Sequence, residues 1–193
     1  MLDENQIYQN KMKFMEVLCR LGIDLTELTK YLETVDFFNK PASTQYFRAY
    51  PGGLCEYALD VYSELCRLVP TYCPGKYQEA DVIKIAFFKD IYRAELYEQY
   101  MKNVKNDATG NWEVQPAFKY RENRPTFGDI GFSSYMIAKR YIDFTDEHIE
   151  AIVQSSTKSD YAGDIHDIMR SYPLVALTKM ADIAAMYVIR GAQ

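Results

Sequence analysis

The stretch Gly52-Gly53-Leu54-Cys55-Glu56-Tyr57-Ala58-Leu59-Asp60-Val61, which continues to Leu68, contains the clearest helical pattern in the chain. Its apolar residues recur at intervals of three or four, which is the spacing of one buried face of an α-helix. They are Leu54, Ala58, Val61, Leu65 and Leu68. The pattern predicts an amphipathic helix that begins after the glycine pair and packs in the core of a helical protein.

Helices are also predicted on both sides of this segment. They lie near residues 4–20, 24–32, 78–101, 131–142, 145–156 and 164–190, and Pro173 divides the last of them. Asp24 and Glu27 have the spacing of a capping box, and Thr145 is a candidate N-cap. The segment from Pro70 to Gly75 is expected to end the central helix, because proline cannot donate a backbone hydrogen bond.

One segment has a β pattern instead. Residues 102–106 and 112–120 flank the turn sequence Asp107-Ala108-Thr109-Gly110-Asn111, which predicts a hairpin. Pro116 should lie on an edge or at a bend of the second strand, since it cannot donate to a ladder. The predicted fold class is therefore an all-α bundle with one small β-hairpin insertion.

Composition narrows the class of protein. The chain has 193 residues, a net charge of −5 and 48% hydrophobic residues, which is typical of one soluble globular domain. The acidic balance argues against a general nucleic-acid coat or a binder of anionic membranes. The polar start, Met1 to Gln6, lacks a signal-peptide pattern, and no apolar stretch approaches the ~20 residues that span a bilayer. We therefore expect a cytoplasmic protein with no membrane partner.

Cysteine and histidine usage bears on metal and redox chemistry. The four cysteines form no C-x-x-C pair and are expected to be reduced and packed. Only two histidines are present, His148 and His166, and both are expected at the surface or as helix caps. These residues offer neither a zinc pattern nor a nucleophilic triad.

Charged residues fall on faces that should be buried. Val82, Ile85 and Ala86 define an apolar stripe, and its next members are Lys89 and Arg93, with Asp90 beside them. In the last helix, Asp182 lies at the edge of the apolar stripe, one turn after Thr178. A charge on such a stripe costs several kcal/mol unless it is paired or ligated. Either the stripes are rotated so that these charges reach solvent, or a polar cluster lies inside the bundle, where such folds place metal and ligand sites.

Eight short segments, in this order, carry a resemblance to a known family. They are Pro41-Ala42-Ser43-Thr44, Tyr50 to Leu59, Phe88 to Arg93, Asn103 to Asn106, Gly110 to Glu113, Pro125 to Gly128, Tyr172-Pro173-Leu174 and Ala181-Asp182. Over roughly residues 35–190 the chain resembles small single-domain members of the HD-domain metal-dependent phosphohydrolase superfamily. The resemblance implies one HD-like domain over residues 1–193. Residues 1–35 would be an N-terminal helical extension, and 36–193 the core, with its hairpin near 102–120.

The resemblance also identifies a vestigial metal site. Such enzymes bind a divalent metal with several histidines and with aspartates. The corresponding residues here are Tyr57, Lys89, Asp90, Arg93, Asp129, Ser155 and Asp182. Only Asp90 and Asp182 match ligand residues, and a phenol, an ammonium and a hydroxyl do not replace imidazoles. We hypothesise that Lys89 replaces the metal electrostatically, so that no catalytic residue, metal or other cofactor is expected.

The resulting functional hypothesis is a catalytically inactive HD-like protein, a pseudoenzyme that binds a protein partner, self-associates or serves as an assembly component. A phage or mobile element could encode such a protein, which would then be virion-associated, and a nucleotide is a second candidate ligand. The alternative is an active nucleotide phosphohydrolase with Mg²⁺ held by Asp90, Asp129 and Asp182. A second alternative, nucleic-acid binding by the hairpin, is disfavoured because acidic residues dilute its basic ones. The basic and aromatic residues concerned are Lys102, Lys105, Lys119, Arg121, Arg124, Tyr100, Trp112, Phe118 and Tyr120.

Overall fold

A computed structural model describes residues 2–124, 128–156 and 162–189 of the chain. Its helices are α1 (Glu4–Cys19), α2 (Thr26–Thr34), α3 (Gly53–Tyr72), α4 (Glu79–Phe88), α5 (Arg93–Leu96), α6 (Ile130–Ala138), α7 (Asp146–Ser156), α8 (Ala162–Ser171) and α9 (Pro173–Ile183). Its strands are β1 (Tyr97–Lys105) and β2 (Trp112–Tyr120), paired antiparallel. A 3₁₀ turn spans Phe37–Asn39, and a π turn, Ala184–Val188, follows α9. The prediction of a mainly helical chain with one small β-hairpin is confirmed.

Helix α3 lies at the centre of the fold. It packs against α1, α4 and α9, and the stripe residues Leu54, Val61 and Leu65 are fully buried. The aromatic ring of Phe14 on α1 stacks on that of Phe87 on α4, with ring centroids 4.0 Å apart. Buried apolar residues from α1 through the π turn form one hydrophobic cluster, so the first two helices share their core with the rest.

The glycine pair before α3 is required by the backbone. Gly52 has a φ of 81°, in the left-handed region that favours glycine. A Cβ on Gly53 would lie 2.2 Å from the carbonyl oxygen of Arg48, which is far too close. Only glycine lets the preceding loop approach the first turn of α3 in this way, and that loop carries a buried arginine described below.

Helix α3 ends at Tyr72, within the segment from Pro70 to Gly75 that was expected to end it, and Pro70 itself lies in the last turn. The ring removes one backbone donor, but Cys73 N–H still donates to the carbonyl of Val69 at 2.8 Å. A proline this close to the C-terminal end therefore leaves the last turn intact.

The predicted helix 78–101 is wrong in its second half. Helix α4 ends at Phe88, the chain passes through short turns into α5, and β1 begins at Tyr97. Tyr97 pairs with Tyr120 of β2, and its ring is buried against the helices. Aromatic residues suit strands as well as helices, so pairing with β2 decides the structure of this segment.

The start of α2 also differs from the prediction. The Asp24 carboxylate accepts hydrogen bonds from the backbone N–H and the hydroxyl of Thr26. Leu25, however, occupies the N-cap position, and its side chain makes no capping hydrogen bond. Asp24 thus forms a local turn before the helix instead of the capping box expected with Glu27.

Among the described residues, no helix is both long enough and apolar enough to cross a membrane.

Candidate functional site

Five of the residues predicted to form a vestigial site lie together in the core. Tyr57 comes from the first turns of α3, and Lys89 is the C-cap residue of α4. Asp90 follows at the turn, Arg93 begins α5, and Asp182 lies near the end of α9. All of these side chains are buried except that of Arg93, which is half-buried, so three separate parts of the chain meet at one point.

Lys89 is the centre of this buried ion cluster, which we define as Tyr57, Lys89, Asp90, Arg93 and Asp182. Its Nζ forms ion pairs with Oδ2 of Asp90 and Oδ1 of Asp182. The same Nζ donates to the hydroxyl oxygen of Tyr57 at 3.2 Å and lies 4.9 Å from the centroid of its ring. The Tyr57 hydroxyl in turn donates to Asp182. One amine therefore joins two carboxylates and a phenol.

Arg93 completes the cluster and ties it to its surroundings. Its Nε donates to Oδ1 of Asp90, while Nη1 donates to the carbonyl of Ala42 at 3.1 Å and the hydroxyl of Tyr97 at 3.3 Å. Two cations then balance two carboxylates, so the buried group is formally neutral. That balance offsets the large cost of removing four charges from water.

The surroundings keep these charges in place at neutral pH. Burial by itself would lower the pKa of the Lys89 amine, but the carboxylates of Asp182 and Asp90 raise it above its usual range. Burial by itself would raise the pKa of the Asp90 carboxyl, but Arg93 and Lys89 hold it well below its usual range. Burial also raises the pKa of the Tyr57 hydroxyl, which stays protonated and can act as a donor.

Two of the predicted site residues have other roles. Asp129 is exposed and is the N-cap of α6, where its carboxylate accepts a hydrogen bond from the N–H of Phe132 at 2.8 Å. Ser155 Oγ donates to the carbonyl of Ile152 in its own helix at 2.7 Å. Across the described residues, no three histidine, cysteine or acidic side chains form a group that could hold a metal ion.

A second buried ion cluster, centred on Arg48, was not predicted. Its Nε donates to Glu56 at 3.0 Å, and an Nη2 hydrogen bond joins it to Asp60. Nη1 donates to the carbonyl of Ala185 in the π turn at 2.6 Å. Arg48 lies in a loop with no periodicity, so the sequence around it does not indicate that it is buried. The one sequence feature that points to this cluster is the four-residue spacing of Glu56 and Asp60, which places both carboxylates on one face of α3.

The two histidines differ in their surroundings. His166 is exposed, as expected for a surface residue. His148 is buried, so of the two roles expected for it, surface residue or helix cap, only the second is correct. Its Nδ1 accepts from the N–H of Thr145 at 3.2 Å, and its Nε2 lies 3.0 Å from Oδ1 of Asp81. Because Nδ1 is an acceptor, the neutral ring carries its proton on Nε2 and donates it to Asp81.

This arrangement predicts that mild acid destabilises the protein through His148. Burial lowers its pKa, although Asp81 partly offsets the effect. The unfolded chain therefore binds this proton more readily, and stability is lost as pH falls below the unfolded value of about 6.5. Urea unfolding at about pH 7.5 and about pH 5.5 should show this loss in the wild type and a weaker one in His148→Gln. The exposed histidine gives the control, because His166→Gln should keep the wild-type slope.

Two of the cysteines, Cys55 and Cys66, are not activated nucleophiles. All four are free, but only Cys55 is buried, which corrects the expectation that all are packed. Burial raises the pKa of the Cys55 and Cys66 thiols, so neither carries the thiolate that nucleophilic chemistry needs.

Comparisons with protein-family models, with curated proteins and with solved structures each found no match to this chain. The resemblance to the HD-domain superfamily therefore stays a prediction from the sequence segments.

Proposed function

We propose that this chain is a catalytically inactive HD-domain-like protein, in which the Lys89 amine takes the place of a divalent metal, and that it acts by binding a protein partner. The observation that carries the first part is the position of Lys89 between Asp90 and Asp182. The resemblance assigns both aspartates as metal ligands. What supports it further is that Tyr57, at the position of the first ligand histidine, belongs to the same cluster.

A protonated amine in this position opposes metal binding for two reasons. A divalent ion needs oxygen or nitrogen donors at about 2.0–2.2 Å, and each of the two aspartates already accepts bonds from cations or from a phenol. The raised pKa of Lys89 also keeps its positive charge through the neutral range, so the site repels a second cation.

The alternative of a Mg²⁺ site made by three carboxylates has less support. Asp129 would have to give up its capping role on α6, and Asp90 and Asp182 would have to give up Lys89. Mg²⁺ also loses its water shell reluctantly, whereas Asp90 and Asp182 are buried.

Metal analysis with a hydrolysis assay tests the loss of chemistry. Purified protein dialysed against Mn²⁺, Zn²⁺ or Mg²⁺ should retain far less than one equivalent of metal, and it should hydrolyse no member of a nucleotide panel. Stoichiometric metal, or turnover that Asp182→Asn abolishes in a folded variant, would establish the phosphohydrolase instead.

Restoring the histidines should restore metal binding if the HD-like interpretation is right. In Tyr57→His/Lys89→His, two imidazoles would join Asp90 and Asp182, which makes a four-ligand set suited to Zn²⁺ or Co²⁺. We expect one equivalent of Co²⁺ and the visible absorption of a protein-bound ion. Tyr57→His alone keeps the amine and should bind none. A double variant that is folded by circular dichroism yet takes up no metal would argue against the HD-like geometry.

A further inference from the structure

The β-hairpin projects from the helical body and is exposed over most of its length. Each strand has nine residues, so the hairpin extends about 30 Å. Tyr97 and Phe118 are buried at its base, whereas residues 99–103 of β1 and 112–114 of β2 are exposed on both faces. A two-stranded sheet without a third strand or a helix against it is marginally stable in water. The projecting part therefore has the character of a binding element.

The hydrogen bonds at the two ends of the hairpin show which backbone groups point outward. Asn106 N–H donates to Asn111 at 2.7 Å, and Arg121 N–H donates to Leu96 at 2.9 Å. Hydrogen-bonded and non-hydrogen-bonded pairs alternate along an antiparallel ladder. By that alternation Met101 and Pro116, which lie opposite each other, form a non-hydrogen-bonded pair whose backbone groups face the two outer edges.

The two outer edges are not equivalent. On the β2 edge, the ring nitrogen of Pro116 replaces an outward N–H, which blocks the addition of another strand. On the β1 edge, the outward backbone groups belong to Gln99, Met101 and Asn103. These groups form no hydrogen bond with the described part of the chain. β1 thus offers an open edge, and β2 does not.

One face of the hairpin carries an exposed apolar surface that spans both strands. Met101, Val114 and Trp112 share this face, because directly opposed residues and every second residue along a strand point the same way. Their exposed fractions are 58%, 62% and 70%. Large apolar side chains grouped at an exposed sheet mark an interaction site more often than an ordinary surface.

The charges along β1 select the partner. Lys102 and Lys105 form no ion pair with any described residue, in contrast to Lys119, whose Nζ lies 2.9 Å from Glu98. An antiparallel pairing of two β1 strands about Met101 or Asn103 would place the two copies of Lys102 as diagonal neighbours, so repulsion disfavours a second copy. Nucleic acid is also disfavoured, since segment 97–124 has five basic and four acidic residues.

We propose that the outer edge of β1 binds an extended segment of a partner protein, in which apolar residues alternate with acidic ones. The segment adds a third strand to the hairpin, packs its apolar side chains beside Met101, and places an acidic side chain beside Lys102 on the opposite face. Main-chain hydrogen bonds supply affinity, and the alternate side chains supply specificity. This inference rests on the partner-binding part of the proposed function and is independent of the metal site.

A display experiment tests the proposal directly. Random peptides of about twelve residues, long enough to cover a nine-residue strand, are selected on the full-length protein. Enriched peptides should alternate apolar and acidic residues. Their affinity should fall at least about tenfold, a loss of about 1.4 kcal/mol, for Met101→Pro, which removes an outward N–H but no hydrogen bond of the hairpin. Retained Trp112 fluorescence and circular dichroism would show that this variant is folded.

Charge reversal provides the second measurement. Lys102→Glu should weaken the acidic peptides about tenfold and favour peptides with basic residues at the same positions. Lys30→Glu, an equal change at an exposed residue of α2, should leave binding unchanged. The proposal would be overturned if peptide binding survived Met101→Pro or if the enriched peptides lacked acidic residues. It would also be overturned by a dimer in solution that Met101→Pro dissociates, or by tighter binding of oligonucleotides than of peptides. None of these outcomes bears on the metal assays, so the two proposals fail separately.

Discussion

Replacing Lys89 with methionine should lower the free energy of unfolding by about 3–5 kcal/mol, the usual cost of leaving a buried charge without its partner. The volume of the side chain is nearly conserved, so the loss comes from electrostatics rather than from a cavity. Asp182 would retain only the hydroxyl of Tyr57 within the cluster, and Asp90 would retain Arg93. Urea unfolding followed by circular dichroism measures the change.

The rest of the cluster provides the controls for this prediction. Adding Asp182→Asn to Lys89→Met removes the uncompensated charge and should recover much of the lost stability. Lys84→Met, on the same helix, removes an amine that lies at the surface and donates to the carbonyl of Asp143 at 2.8 Å. It should cost less than about 1 kcal/mol. If Lys89→Met also cost less than that, Lys89 would not be the charge that holds the cluster together.

The pH dependence of the cluster follows from its pKa directions. The lowered pKa of Asp90 contributes stability that is present above the unfolded value of about 3.9 and is lost as pH falls further. The raised pKa of Lys89 contributes stability that is present below the unfolded value of about 10.4 and is lost only in strong alkali. Lys89 and Asp90 therefore keep their charges at neutral and mildly acidic pH, so the loss of stability expected from His148 does not come from these two groups.

The cluster was predictable because helical period determines direction. Lys89 and Asp182 fall on apolar stripes that tertiary packing cannot rotate far without exposing several large side chains. The helical period predicts that Lys89 and Asp182 point inward, and the free-energy cost of burying a charge predicts that they are paired. The strand that begins at Tyr97 was missed because it is determined by pairing with a segment some twenty residues away. The local sequence pattern does not predict that register.

The tyrosines also have an explanation that the sequence does not give. Within the described part of the chain, five tyrosine hydroxyls donate to carboxylates, and most of these bonds join separate elements. The pairs are Tyr31–Glu95, Tyr50–Glu56, Tyr57–Asp182, Tyr62–Glu79 and Tyr77–Glu147. Their rings pack against neighbouring side chains while their hydroxyls donate hydrogen bonds to carboxylate oxygens. These five tyrosines therefore have a structural role, and tyrosine content alone carries no argument for a partner.

Arg48→Met should be the second strongly destabilising change, at about 3–5 kcal/mol, because it leaves Glu56 and Asp60 without their buried cation. Its effect should also be local. Arg48 donates to the carbonyls of Ala185 and Ile189, at 2.6 Å and 3.4 Å, and so satisfies backbone acceptors that the end of a helix leaves open. Hydrogen exchange in residues 184–189 should therefore rise more than in α1.

An ion pair on α3 itself separates the specific effect of losing Arg48 from the general effect of losing a charge. Arg67→Met removes an arginine whose one ion pair among the described residues is with Glu64, three residues away on α3, and should cost less than about 1 kcal/mol. The backbone of Arg48 also lies close to α3, because Gly53 has no room for a Cβ beside the carbonyl oxygen of Arg48. Equal exchange in residues 184–189 for both variants would mean that packing of α9, and not Arg48, fixes the π turn. Faster exchange in Arg48→Met alone would make this loop arginine the residue that holds the C-terminal turn against α3.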